Sequence, residues 1–179
     1  MGNAIEMYDF IKRTNLCYQL LQDELSRKIF CARLMLDFDQ SPPNIEQLVG
    51  LSEQQRWLDG LIGSIPNFIY KMNQKPKKLI LYGTNLTGRT IAALFMEKSG
   101  AERVGFIKMD IEGAEFDALH GAKGVIVRDK PMLALSVYHR AGDMLAMMDY
   151  LHSLVPEYHF WLRHYSIGLA DTVLYVSID

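Results

Sequence analysis

Three carboxylates crowd the segment Phe106-Ile107-Lys108-Met109-Asp110-Ile111-Glu112-Gly113-Ala114-Glu115, where an apolar run passes straight into acids and a glycine before a helix. In parallel sheets ligands bind beyond the carboxyl ends of strands, so Asp110 would stand at the rim where a site is built, with Glu112 beside it. The alternative is structural: Asp110 or Glu112 caps the helix and Glu115 complements its dipole, a role worth about 1 kcal/mol. Spacing leaves both open. Tyr138-His139 follows a second apolar run, Met132 to Val137, and should reach the same rim. His139 could draw a proton from a hydroxyl or amine, or simply bond a nearby carbonyl, which is the commoner fate of an imidazole. A third feature is the turn Gly83-Thr84-Asn85-Leu86-Thr87-Gly88. A strand, a glycine turn and a helix N-terminus make an anion site, but Asn85 stands where a dinucleotide fingerprint wants glycine. Arg89 stands where a phosphate loop wants lysine, so most such turns are plain βα connections. Arg163 and His164 end a later strand and suit a solvated edge face as well as a substrate contact.

Other chemistries find little support. The five histidines, His120, His139, His152, His159 and His164, show no metalloprotease spacing and no cysteine lies near them, so no metal is expected. Cys17 and Cys31 fall in helical segments, where cysteine packs as a small hydrophobe, and two are too few for a disulfide framework.

The elements that must position these residues change in character along the chain. From Ile5 to Met72 apolar residues recur at three and four among strong helix formers, and no strand is expected. One helix runs through Ile5, Tyr8, Ile11 and Leu20 and a second from Ile29 to Asp37, ended by Ser41-Pro42-Pro43. Ser52-Glu53 would start a third, short helix. The polar stretch Asn73 to Lys78 reads as a linker, which divides the chain into a helical region 1–75 and an α/β domain 76–179. Strands are expected at Leu79–Tyr82, Val104–Met109, Met132–Val137, Tyr158–Arg163 and Thr172–Ser177. Helices alternate with them at Arg89–Lys98, Glu115–Arg128 and from an Asp143 cap to near Pro156. The result is an α/β fold: a mostly parallel, Rossmann-like sheet with helices on both faces, preceded by an all-helical N-terminal region. The unbroken apolar run Met132-Leu133-Ala134-Leu135 suits a strand covered on both sides, and the alternation in His159 to Arg163 suits one nearer an edge.

The 179 residues allow one domain with an appendage, and 49% apolar with 22% charged residues is an ordinary globular composition. Lys and Arg number 19 against 21 Asp and Glu, spread evenly over both halves, which argues against a nucleic-acid partner. No run approaches the roughly 18 apolar residues of a membrane span, and the N-terminus lacks a signal-peptide pattern. A cytoplasmic protein is expected, with no membrane partner.

From Phe106 to Ser177 the chain resembles the carboxyl-terminal half of the FkbM family of S-adenosylmethionine-dependent methyltransferases. The resemblance rests on Phe106 to Glu115, Leu119, Gly121-Ala122, Lys130-Pro131, Ser136-Val137-Tyr138-His139, Leu154-Val155-Pro156 and Leu162-Arg163-His164-Tyr165. It implies a Rossmann-like methyltransferase fold, S-adenosylmethionine as cofactor, a sugar or small-molecule oxygen as methyl acceptor, Asp110 and Glu112 shaping the site and His139 as base. Gly83, Gly88 and Asp110 are the implied cofactor contacts. The turn at Gly83 is more similar to an accessory nucleotide-binding-like unit of longer relatives, so the resemblance also implies a truncated catalytic domain whose front half is missing. Two further expectations follow: a non-catalytic nucleotide-binding module using the Gly83 turn, or a shortened fold whose open sheet edges drive self-association.

Overall fold

Five apolar, β-branched or aromatic runs become strands: β1 Lys78–Tyr82, β2 Val104–Met109, β3 Met132–Ser136, β4 His159–His164 and β5 Thr172–Ser177. The structure is a computed structural model that describes residues 4–62, 78–82 and 103–178. The strands form one sheet in the order β1-β2-β3-β5-β4. β1, β2 and β3 pair in parallel, with Tyr82 opposite Met109 and Met109 opposite Leu135. β5 is antiparallel to both β3 and β4, so four of the five strands run the same way. This is the expected α/β arrangement.

The helices are α1 Ala4–Leu20, α2 Glu24–Phe38, α3 Pro42–Ile62, α4 Glu115–Gly121, α5 Lys123–Asp129 and α6 Asp143–Leu154. The two crossovers among the described residues, β2 through α4 and α5 to β3 and β3 through α6 to β4, step the same way across the sheet. Right-handed connections therefore place them on one face, and Phe116 and His120 of α4 meet Tyr150 of α6 at 5.7 and 4.3 Å between ring centroids. β3 is covered on both sides, with Leu133 and Leu135 buried on one face and Ala134 and Ser136 on the other. β4 lies at the edge with the expected alternation. Its outer side is partly closed by a parallel bridge between Leu21 and Phe160, where the Gln22 N–H donates to the Phe160 carbonyl at 3.0 Å. Such a cover protects a strand edge from pairing with other chains.

Three local expectations need correction. The prolines at 42 and 43 do not merely stop α2; they open α3, which runs unbroken through Ser52, because proline at the first helical turn loses no hydrogen bond it would have made. Ser52 is a buried residue inside α3, not a start. The helix expected over 115–128 divides at Ala122, flanked by the weak helix formers Gly121 and Gly124. Asp143 does not cap α6: Gly142, at φ 82°, takes that place and Asp143 is the first helical residue.

α1, α2 and the first part of α3 join the same buried cluster as the sheet, through Cys17, Leu21, Ile29, Phe30, Leu36 and Leu48 together with Phe160, Leu162 and Met147. The expected boundary near residue 75 lies outside the described residues. Among those described, no helix is long and apolar enough to cross a membrane.

Candidate active site

Because Met109 faces Tyr82 on one side and Leu135 on the other, the chain leaves β1, β2 and β3 at the same end of the sheet. Asp110 follows β2 directly. The turn after it is tight: Glu112 and Gly113 both have left-handed backbones, with φ of 56° and 88°. Glycine suits 113 because residues with a Cβ rarely adopt a φ of 88°, and a Cβ there would also come 3.0 Å from Arg140 Nε. The loop after β2 is thereby pressed against the loop after β3.

Neither Asp110 nor Glu112 caps α4. Its cap is Ala114, which makes no side-chain bond. Instead Glu115, fully buried at the first helical position, reaches back to accept the Ile111 N–H at 2.8 Å. The same Oε1 lies 2.9 Å from His139 Nδ1, without hydrogen-bond alignment. His139 Nε2 faces the opposite way, 3.7 Å from Asp110 Oδ1 and 3.6 Å from Glu112 Oε2. The expected trio Asp110, Glu112 and His139 is thus brought together.

Exposure grades across the cluster. Glu112 is mostly exposed, the Asp110 side chain is 33% exposed, His139 9% and Glu115 not at all. Tyr138 donates its hydroxyl to Asp110 Oδ1 at 3.3 Å and lies over the His139 ring, 4.1 Å between centroids. Burial, then the Asp110 charge, pushes the phenol up to about 12, so it stays a donor at neutral pH. Asp143, behind Glu115, is held above the ordinary carboxylate range by burial first and by the Glu115 charge second.

Glu115 was legible in the sequence only as a helix-dipole residue. Its position one turn after a rim acid, where a side chain can reach back to loop N–H groups, was the available signal. Gly83 and Gly88, the expected cofactor contacts, lie outside the described residues. Arg163 and His164 are not part of the cluster: Arg163 pairs with Asp23 at 2.6 Å and bonds Ser26, while His164 is buried with Nδ1 2.9 Å from Thr172 Oγ1. Cys17 is buried, and burial pushes its thiol up to about 12, the opposite of an activated nucleophile.

The family model described as the methyltransferase FkbM domain matches residues 59–160, more than half of the chain. The match begins upstream of the residues that carry the resemblance in the sequence. Among solved structures, a methyltransferase FkbM from Methylobacillus flagellatus KT has the same fold, with a TM-score of 0.62 and 21% identity. The likeness covers 96% of this chain and 60% of that one. No curated protein matches the chain.

Proposed function

The chain belongs to the methyltransferase FkbM family, and on that premise we propose that it transfers a methyl group from S-adenosylmethionine to a hydroxyl oxygen of a sugar or other small metabolite. The residues at the rim suit that cofactor in charge: its sulfonium and ammonium groups are cationic, and the site gathers Asp110, Glu112 and Glu115 around one imidazole. Asp110 would hold the cofactor at the end of β2, and Gly83 and Gly88 are kept as its expected backbone contacts. The bound cofactor supplies an electrophilic methyl group.

The chain's own part is positioning and proton removal, which is most of what methyl transfer asks of a protein. His139 Nε2 faces the more exposed side of the cluster and takes the acceptor's hydroxyl proton as the oxygen is methylated. Glu115, 2.9 Å from Nδ1, lies against the other side of the ring and orients it. Tyr138, by donating to Asp110, fixes that carboxylate for the ligand. The observation that carries this reading is a nearly buried histidine set between a fully buried carboxylate and a partly exposed one.

The test is transfer of labelled methyl from the cofactor to a panel of polyhydroxylated acceptors. Wild type should label at least one of them, and His139→Ala should lower the rate by about 10²-fold or more. Wild-type protein that labels no hydroxyl acceptor, or a variant as fast as wild type, would refute this mechanism.

A further inference from the structure

We propose that Asp110, Glu115 and His139 form a binding site for one divalent first-row transition cation of the Mn2+ kind. Each of the three offers one ligand atom, and these atoms lie within 4.8 Å of one another. Ligands held 2.0–2.6 Å from an ion stand at most about 4–5 Å apart, so a shared ion needs Asp110 and Glu115, now against different nitrogens of the ring, to turn toward whichever nitrogen binds it. Their separation along the chain explains why ligand spacing gave no warning: the fold assembles the site across two strand ends and the start of α4.

A second observation is independent of that proximity. Glu115 is fully buried, yet its Oε2 has no hydrogen-bond partner among the described residues, and His139, 9% exposed, has none for either ring nitrogen. Buried polar groups are normally satisfied; orphaned atoms occur elsewhere in the chain as well, but here three of them belong to two adjoining side chains, which a bound cation would satisfy. The surroundings favour positive charge as well. Glu112 and Asp143 add carboxylates to the cluster, against Arg140 beside Gly113. Two carboxylates and an imidazole suit Mn2+ or Zn2+ better than Mg2+, which prefers oxygen ligands alone. Three protein ligands also leave positions open for water or a substrate oxygen.

Binding of the ion stands on its own; its part in turnover rests on the methyl-transfer reading. There it changes one role: with His139 as a ligand, the cation would make an acceptor hydroxyl more acidic, and its proton would pass to solvent water instead of to His139 as the oxygen is methylated.

Titrating the full chain with Mn2+ and following the electron paramagnetic resonance signal of the free ion tests the site. One equivalent should disappear from the free signal. Asp110→Asn and His139→Ala should each weaken retention by about tenfold or more, and Glu157→Gln, in a distant ion pair with Lys130, should leave it unchanged. Asp110→Asn replaces a partly exposed side chain, so the comparison survives if a Glu115 variant fails to fold. Free signal undiminished at millimolar protein, or retention unaffected by both site variants, would overturn the cation site. A parallel titration with S-adenosylmethionine in chelator separates the two ideas. Cofactor binding without Mn2+ retention removes the cation alone, and Mn2+ retention without cofactor binding, with or without the ion, removes the methyl-transfer reading alone.

Discussion

Tyr138 and Gly113 hold the reacting side chains without being reacting groups themselves. Tyr138→Phe removes the donor to Asp110 while keeping the ring over His139. We expect the fold to persist and methyl transfer to slow by about tenfold, less than for His139→Ala, because only the orientation of one carboxylate is lost. Gly113→Ala should cost about 1–2 kcal/mol in denaturant unfolding, since its φ of 88° is strained for any residue with a Cβ and Arg140 must also give way. At this scale the sequence is informative about Asp110, Glu112 and His139, because apolar runs ending at 109 and 137 mark where the strands stop. It is silent on the contact between Glu115 and His139. That contact needs the side-by-side pairing of β2 and β3, which no local spacing encodes.

Between elements, Asp129 at the end of α5 does the joining. It accepts the Val104 N–H at the start of β2 at 2.9 Å and pairs with Arg128 at 2.7 Å. The Arg128 bond, with that N–H, holds its carboxyl below the usual range against the opposing effect of burial. A folded pKa lying below the unfolded one gives stability that is present above about pH 4 and is lost as pH falls through the folded value. Asp129→Ala should therefore cost about 1–3 kcal/mol at neutral pH, leaving a buried N–H unmet, and should flatten the acid limb of a stability profile. Asp143 has the opposite sign. Its raised pKa means that stability declines as pH rises from the unfolded value through the folded one, so Asp143→Asn should raise the melting temperature at neutral pH. Element positions were well marked by alternating apolar runs and polar turns; Thr172–Ser177 and Val104–Met109 coincide with expectation. The starts of α3 and α6 were not, because proline and glycine act at helix beginnings as well as ends, and only the surrounding backbone decides which.

Across the molecule, the helices that read as an appendage are tied into the sheet. Asp23 caps α2 through Ser26 and also binds Arg163 on β4, while Ser26 Oγ accepts the Leu162 N–H at 2.9 Å. Burial raises the Asp23 pKa, but Arg163 and Ser26 outweigh it and the carboxyl is held low. The described part of the helical region and the sheet should consequently unfold together. Circular dichroism and tryptophan fluorescence should give coincident thermal transitions; two separated steps would contradict a shared core. Composition and alternation made the α/β class legible, but not the insertion of the reversed strand β5 between β3 and β4. Strand order is set by pairing between distant segments, and this one places β4 at the edge, where α2 and residues 21 and 22 can cover it.

All of the chemistry assumes that the acidic strand end receives an adenosyl sulfonium ligand. Isothermal titration of the wild-type chain with S-adenosylmethionine and with its demethylated product, beside Asp110→Asn, measures that directly. Saturable heat in the wild type, weakened by about tenfold or more when one carboxylate hydrogen-bond acceptor is removed, is the expected result. Absence of saturation at millimolar ligand in the folded wild-type protein would leave a relative that has the methyltransferase fold without its chemistry.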